Sequence, residues 1–304
     1  MKPARFDYYD PTSVDEVLAL LQQYGDEAKL LAGGQSLIPI LNMRLAKPAV
    51  LIDLNRVAGL AYIRELDSQL QIGALTRHAE VERSPLIATR QPLLAETVRQ
   101  IGHSQIRNRG TIGGSLAHAD PAAELPAVMV ALDGTFCLRG PSGVREVPAG
   151  EFFLMYFTTC IRPDEILTEV RVPVLPPRTG YAFLELSRRH GDFALAGVAC
   201  TLTLAADGTM ADCRLGLTGV SMTPVRATAA EARLQEGRPE PGLFAEAAGL
   251  VRAAVAPESD VHGSAEYRRH LAGVLTERAL ATALQRASVL LETEQLETEG
   301  GREG

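Results

Sequence analysis

The segment Ala28-Lys-Leu-Leu-Ala-Gly-Gly-Gln-Ser36 carries the features from which the architecture of the N-terminal half follows. Its first four residues predict a short buried strand, and the adjacent Gly33 and Gly34 predict a tight turn, because glycine permits positive φ and close backbone approach. A strand that runs into such a turn leaves backbone N–H groups pointing one way, where they can bind phosphate oxygens. One such turn is weak evidence for a ligand, because most tight turns are only turns.

A second pair of adjacent glycines occurs in Arg107-Asn-Arg-Gly-Thr-Ile-Gly-Gly-Ser115, which we also predict to be a turn. Both pairs follow apolar chain and are flanked by hydroxyl side chains. Two such turns are better explained by one diphosphate held from two sides than by two unrelated bends. Arg107 and Arg109 could neutralise that diphosphate, although a solvated loop or a subunit contact explains them equally well.

Established nucleotide motifs do not account for these glycines. The chain lacks the G-x-x-x-x-G-K-[ST] pattern of a P-loop, and neither turn completes the G-x-G-x-x-G pattern of a Rossmann site. Gly34-Gln-Ser-Leu-Ile38 resembles a nucleophile elbow, but Ile38 stands where the last glycine of that motif belongs. The sequence therefore argues against both nucleotide folds and against serine hydrolysis.

The composition is that of an ordinary globular chain of about two domains, with 304 residues, 46% hydrophobic and 22% charged. Its net charge of −7, with no Lys/Arg block, argues against nucleic acid as a partner, because phosphate binding needs concentrated positive charge. The longest apolar run, Leu125 to Leu132, is far shorter than the ~20 residues that cross a bilayer. We therefore expect no transmembrane segment.

The cysteines and the N-terminal residues favour a cytoplasmic protein. Cys137, Cys160, Cys200 and Cys213 form no C-x-x-C motif, which is poor for a zinc or iron–sulfur site and sparse for a disulfide framework. We expect reduced thiols that mostly fill the core. The first ten residues, MKPARFDYYD, contain no apolar secretory region.

The predicted elements mix strands and helices in the manner of an α+β fold. Ser13 and Glu16 predict a capping box at the start of a helix. Residues 76–100 predict a helix in two pieces that separate near Ser84-Pro85, and residues 135–147 predict a hairpin.

Prolines at positions 173, 176 and 177 mark a domain boundary. We predict a first domain of residues 1–176, with subdomains of about 1–57 and 58–176. The second domain, residues 177–288, is predicted to have a three-stranded antiparallel sheet followed by helices. Residues 292–304 are polar, acidic and end in glycine, and we predict a disordered tail over residues 289–304.

Taken in order, these motifs resemble the FAD-binding subunit of the molybdenum hydroxylase (xanthine dehydrogenase) family. The resemblance rests on Ala32-Gly-Gly-Gln-Ser-Leu37, Leu51-Ile-Asp-Leu54, Thr111-Ile-Gly-Gly-Ser115 with Asp120-Pro121, and Ser187-Arg-Arg-His-Gly-Asp-Phe-Ala194. It covers almost the whole chain and is most marked for carbon monoxide dehydrogenase medium subunits. It implies a two-part FAD-binding domain of the vanillyl-alcohol oxidase-like type, followed by a smaller C-terminal flavoprotein domain.

The resemblance also implies which residues bind FAD. The two double-glycine segments would hold its pyrophosphate, Glu124 would contact ribityl or ribose hydroxyls, and Phe193 would cover the isoalloxazine ring. Alternative interpretations are a helix cap for Asp120, a favourable charge at a helix start for Glu124, and core packing for Phe193. The predicted cofactor-binding residues are Ala32, Gly33, Gly34, Gln35, Ser36, Leu37, Thr111, Ile112, Gly113, Gly114, Ser115, His118, Asp120, Glu124 and Phe193.

By the same resemblance, the chain accepts electrons from a partner and passes them to an external acceptor, with no catalytic or metal-ligating side chain of its own. The partners implied are a large molybdopterin subunit and a small iron–sulfur subunit, in a dimer of heterotrimers. A molybdopterin cytosine dinucleotide-type cofactor and [2Fe–2S] clusters are expected only in those partners. Two alternatives remain: a self-contained flavin oxidase, and a nucleotide-binding structural subunit without redox function.

Overall fold

A computed structural model describes residues 2–235 and 237–300. It begins with a three-stranded parallel sheet of order β1-β3-β2. The predicted cap is present, because Ser13 Oγ accepts a hydrogen bond from Glu16 N, and the helix that follows buries Val17 and Leu21. The elements of this part are β1 (Asp7–Tyr9), α1 (Val14–Tyr24), β2 (Ala28–Leu31), α2 (Leu37–Asn42) and β3 (Val50–Asp53).

A five-stranded antiparallel sheet of order β4-β5-β10-β6-β7 follows, with helices packed on it. In its central strand, Val170 pairs with Ile72 on one side and Phe136 on the other. The elements are β4 (Ile63–Leu66), β5 (Gln69–Gly73), α3 (His78–Arg83), α4 (Pro85–Arg90), α5 (Pro92–Val98), α6 (Ser104–Arg107), α7 (Ile112–His118), α8 (Glu124–Ala131), β6 (Thr135–Gly140), β7 (Gly143–Pro148), α9 (Ala149–Phe152), β8 (Phe153–Met155), β9 (Thr158–Thr159) and β10 (Ile166–Pro173).

The helical region of residues 76–100 has three pieces where we predicted two. Pro85 begins α4 as expected, and Pro92 begins α5 in the same way. Each proline lacks the N–H that a continuing helix would require, but it suits the first turn of a new one. The predicted hairpin at residues 135–147 is formed by β6 and β7.

The C-terminal part is an antiparallel sheet of order β11-β12-β13-β14 covered by three helices. The three predicted strands are present, and a two-residue fourth strand extends the sheet. The elements are β11 (Thr179–Ser187), β12 (Ala194–Leu204), β13 (Met210–Thr218), β14 (Val225–Arg226), α10 (Thr228–Gln235), α11 (Pro241–Ala254) and α12 (Ala265–Gly300). The limits of the domains stay a prediction.

The predicted disordered tail differs from the structure, which continues α12 to Gly300. The extra turns are anchored because Leu291 packs on the C-terminal core and Arg178 pairs with Glu294 at 3.1 Å. Residues 301–304 lie outside the described part of the chain.

The sheet of the C-terminal part packs directly on α8. Phe183 and Ala199 from that sheet belong to the same buried cluster as Leu125 and Met129 of α8. A Cβ on Gly216 would lie 2.1 Å from Ala127 O, so only a glycine lets strand and helix approach this closely. Gly180 makes a similar contact on the opposite face of the C-terminal sheet, where an added Cβ would collide with the backbone of α12 at Ala283.

Candidate functional site

The first double-glycine segment leaves β2 as an open turn. Gly34 has φ +74°, a conformation that side chains rarely adopt. Gln35 Nε2 donates to Gly33 O at 3.1 Å. Within the described residues, the amides of residues 33–36 donate to no protein acceptor. The turn therefore offers several N–H donors to a ligand, as an anion cradle requires.

The neighbouring parallel strand supports this turn. Leu31 is in register with Asp53, so β2 and β3 end at the same edge. Asn55 Nδ2 donates to Ala32 O at 3.0 Å, and Tyr8 Oη donates to Asp53 Oδ2 at 2.6 Å. Burial raises the pKa of Asp53, but hydrogen bonds from Tyr8 and Asn55 outweigh burial and hold it below its usual value. The aspartate is therefore ionised and fully engaged by its neighbours.

The second double-glycine segment is helical, which corrects our prediction of a turn. Thr111 caps α7, because its Oγ1 accepts a hydrogen bond from Gly114 N at 3.1 Å. Gly113 N donates to Ala74 O at 2.9 Å, and a Cβ on Gly113 would lie 2.5 Å from Ala74 Cβ. These glycines allow the first turn of α7 to pack closely against the residue that follows β5. Two adjacent glycines in a sequence do not by themselves indicate such packing.

The structure brings the two segments into backbone contact. A Cβ on Gly33 would lie 2.4 Å from Arg109 O and 2.7 Å from Gly110 Cα. A Cβ on Gly114 would lie 3.4 Å from Ala32 Cβ. The absence of side chains at these glycines is what allows the segments to meet.

A cleft of about 380 Å³ opens beside this contact. Arg77 connects two of its lining residues, because Nη2 donates to Asn55 Oδ1 at 2.6 Å and Nη1 donates to Arg109 O. Arg109 contributes positive charge to the lining, whereas Arg107 is bound by Glu82 and by carbonyl groups. The lining residues are Leu31, Ala32, Gly33, Gly34, Gln35, Ile38, Pro39, Asp53, Asn55 and Arg109.

The remaining predicted residues of the two segments are not among those that line this cleft. Leu37 is the first residue of α2, and Ser36 precedes it without a side-chain cap bond. Ile112 is the first residue of α7 and is fully buried, and Ser115 is half-buried on the first turn of that helix.

Of three more predicted residues, His118 ends α7, and Asp120 and Glu124 follow it. The His118 ring lies 5.2 Å from that of Phe157, and burial lowers its pKa. Asp120 Oδ1 accepts a hydrogen bond from Ala122 N at 2.9 Å, so its carboxylate shapes the connection to α8. Glu124 is only 8% exposed, and burial raises its pKa to about 7. The alternative interpretation, in which Glu124 is a solvent-exposed charge that stabilises the helix start, is therefore excluded.

Phe193 stands apart from the cleft lining, in the connection between β11 and β12. Its side chain is 69% exposed, which excludes the core-packing alternative. An aromatic side chain so exposed is available to a ligand or to another subunit.

Sequence reasoning missed three residues that build the site. Asn55 and Arg77 hold the segments together, and His78 lies buried under Gly110, whose amide oxygen accepts from His78 N at 3.0 Å. Burial lowers the pKa of His78 to about 4, so its ring is neutral. For Asn55 a signal existed, since polar residues at the carboxyl end of a strand adjacent to a glycine turn are placed to bind ligands.

Among the described residues, no group of three or more acidic, histidine or cysteine side chains could hold a metal ion. None of the described helices combines the length and the apolar character needed to cross a membrane. All four cysteines are free thiols, and three of them are buried.

Family models match both parts of the chain. The model described as FAD binding domain in molybdopterin dehydrogenase matches residues 4–175. The model described as CO dehydrogenase flavoprotein C-terminal domain matches residues 181–283.

Curated relatives match over nearly their full lengths. The alpha subunit of the 6-hydroxypseudooxynicotine dehydrogenase complex of Paenarthrobacter nicotinovorans is 46% identical over 287 residues, covering 94% of this chain and 97% of the relative. The carbon monoxide dehydrogenase medium chain of Hydrogenophaga pseudoflava is 41% identical over 288 residues, covering 95% of this chain and 100% of the relative.

Solved structures agree with this match. A carbon monoxide dehydrogenase from Hydrogenophaga pseudoflava, lacking the Mo-pyranopterin moiety of its cofactor, superposes with a TM-score of 0.92 at 43% identity, covering 94% of this chain and 99% of that one. Quinoline 2-oxidoreductase from Pseudomonas putida 86 gives a TM-score of 0.90 at 36% identity, covering 94% of this chain and 99% of that one.

Proposed function

Since the chain belongs to the FAD-binding medium subunits of molybdenum hydroxylases, we propose that it binds FAD in the cleft between its two double-glycine segments. We further propose that it takes electrons from a partner iron–sulfur subunit and passes them to an external acceptor. The observation that carries the proposal is the backbone contact of Gly33 with Arg109 and Gly110. That contact joins the turn whose amides at residues 33–36 have no protein acceptor within the described chain to a segment distant in sequence, beside one cleft.

The residues of the cleft fit a dinucleotide. The amides of residues 33–36 have no protein acceptor within the described chain, and they would donate to the pyrophosphate. Arg109 would offset part of its negative charge, while Asp53 is kept engaged by Tyr8 and Asn55. Such donors bind phosphate oxygens through fixed backbone dipoles.

The residues of the second segment would hold the other side of the same group. Thr111 and Ser115 carry hydroxyl groups next to Gly114, and Ala32 lies directly beside that glycine. By the resemblance to the family, we assign His118, Asp120 and Glu124 to the sugar and ring portions of FAD; they lie between the last residue of α7 and the first residue of α8. When bound, FAD supplies one- and two-electron transfer, and the chain itself binds, orients and shields it.

We propose that the chain functions in a dimer of heterotrimers with a large molybdopterin subunit and a small iron–sulfur subunit. Exposed apolar side chains support a surface for partners: Leu45 is 74% exposed, Phe157 57% and Phe193 69%. The free state of all four cysteines supports a cytoplasmic location. Native mass spectrometry of the co-expressed complex tests the stoichiometry, and any ratio other than two of each subunit contradicts it.

An absorbance spectrum of the purified chain tests the central proposal. We expect flavin bands at one FAD per chain, no turnover by the chain alone, and bleaching of the bands once the reduced partner subunits are added. Substrate turnover by the isolated chain would favour the self-contained oxidase. A chain purified from FAD-supplemented cells without flavin would favour the structural subunit.

A further inference from the structure

Two glutamates, the buried Glu124 and the half-buried Glu185, lie where the C-terminal sheet packs on α8. Glu185 pairs across the strands with Gly197, and Gly197 pairs with Thr218. A Cβ on Gly197 would lie 2.8 Å from Thr218 Cγ2 and 3.3 Å from Glu185 Cβ. The three residues therefore share one face of the sheet, and Gly197 leaves space between the other two.

Helix α8 places the second carboxyl over this space. Thr218 Oγ1 donates to Ala123 O at 2.6 Å, which fixes the residue just before Glu124 against the sheet. Farther along the helix, Gly216 makes the close approach to Ala127 described above. Glu124 thus begins α8 beside this face of the sheet, where its charge adds to burial in raising the pKa of Glu185.

Neither carboxyl has a cation to compensate it. Among the described residues, none of the ion pairs includes Glu124 or Glu185. Glu185 Oε2 is buried and has no hydrogen-bond partner. Burial, with the charge of Glu124 added, raises the pKa of Glu185 to about 8. Two like charges in such a place cannot both ionise readily, so the pair retains a proton near neutral pH.

The charged groups on the surrounding elements do not neutralise the two carboxyls. Asp120, in the connection before α8, adds negative charge, and burial lowers the pKa of His118 at the end of α7. The nearby arginines already have acidic partners: Arg286 pairs with Glu96, Arg268 with Asp260, and Arg214 and Arg226 both pair with Asp133.

We propose that Glu124 and Glu185 form a proton-holding pair that keeps one proton at rest and takes up a second from solvent when the bound flavin is reduced. This inference rests on the proposed function. One O–H bond forms between a carboxylate oxygen and a solvent proton, and no other bond of the pair changes. The electrons come from the partner iron–sulfur subunit, so the proton offsets the negative charge that they bring.

The route of this coupling is electrostatic. Helix α7 begins with the second double-glycine segment and packs against α8, which carries Glu124. A charge added on that side therefore acts across a packed interior, where screening is weaker than in water. Both glutamates act through the charge that they gain or lose and take no direct part in electron transfer.

The number of protons taken up with two electrons tests the coupling. The FAD-loaded chain is titrated by spectroelectrochemistry between pH 6 and 9, in wild type, Glu185→Gln and a matched control, Glu151→Gln, which changes an exposed glutamate on α9. Wild type and control should take up one proton more than Glu185→Gln over part of this range. Each proton changes the equilibrium constant tenfold per pH unit, which is about 30 mV for a two-electron couple. Equal slopes in wild type and Glu185→Gln would overturn the proposal.

Infrared spectroscopy of the same full chain tests the pair independently of flavin. The C=O band of a protonated carboxyl should titrate between pH 6 and 9 in wild type and be lost in Glu185→Gln. If wild type shows no such band, the pair does not exist. If the band is present but the chain binds no FAD, the proposed function fails and the coupling fails with it, while the pair stands. Should Glu185→Gln not fold, Glu124→Gln replaces it in both measurements.

Discussion

Replacing Gly33 by alanine changes the contact on which the FAD site depends. The added Cβ would lie 2.4 Å from Arg109 O and 2.7 Å from Gly110 Cα. Both neighbours are backbone atoms, so neither can rotate away. Gly33 has no positive φ, so the effect comes from space and not from backbone strain.

The size of the effect follows from that overlap. A carbon and a carbonyl oxygen in contact are separated by about 3.3 Å, so the two segments must part by about 0.9 Å. A hydrogen bond lengthened by that amount is lost. Losing two charge-assisted bonds to the pyrophosphate, at about 1.5 kcal/mol each, weakens FAD binding by about 3 kcal/mol, or about 100-fold. The overpacking itself costs about 1–3 kcal/mol of folding free energy.

Titration of the FAD-free chain with FAD, followed by flavin fluorescence, measures the dissociation constant. Gly150→Ala is the matched control, because a Cβ at Gly150 meets nothing within 4 Å. A thermal melt of each variant shows that the chain is folded. If folded Gly33→Ala binds FAD within threefold of Gly150→Ala, the contact between the segments is not the cofactor site and the reasoning is wrong.

Three further predictions test the surroundings of the site. Gly114→Val should abolish flavin retention on purification, because a Cβ there already lies 2.7 Å from Thr111 Oγ1; a stoichiometric flavin content would contradict this. Asn55→Ala removes the bond to Ala32 O and should raise the FAD dissociation constant about tenfold, as expected for one hydrogen bond of about 1.4 kcal/mol; an unchanged constant would count against its role. His78 is neutral when folded, with its pKa lowered to about 4 by burial, so the unfolded chain binds its proton first as pH falls. Stability should therefore be intact above about pH 6.5 and fall by about 3 kcal/mol between pH 6.5 and 4, as urea denaturation can measure. That slope should shrink in His78→Gln and persist when the exposed His270 is changed to Gln.

Local patterns predicted the elements that local physics determines. The strand at Ala28–Leu31 and the cap at Ser13 were predicted from a few adjacent residues, and both are confirmed. The second double-glycine segment was wrongly predicted as a turn, because the cap at Thr111 and the packing of Gly113 on Ala74 decide its helical form. The latter contact joins residues far apart in sequence, so the local pattern does not contain it.

The candidate site shows the same division. Its two glycine segments could be found from the sequence, because their unusual composition is local. The residues that join them could not, since Asn55 and Arg77 belong to other strands and connections and meet the segments only after folding. The same is true of Glu185 on β11, which the charge of Glu124 on α8 reaches only after folding.

The glycine contact between β13 and α8 determines how the subunit can move. Gly216 sets strand backbone directly on Ala127 O, without side chains in between that could rearrange. Rotation of one domain against the other would drive these backbones into each other, because packed interiors are bistable and not continuously deformable. We therefore expect the two domains to move together as one rigid body. The tunnelling distance from an iron–sulfur cluster to the flavin is then set by how the partner docks and not by hinge bending within this chain.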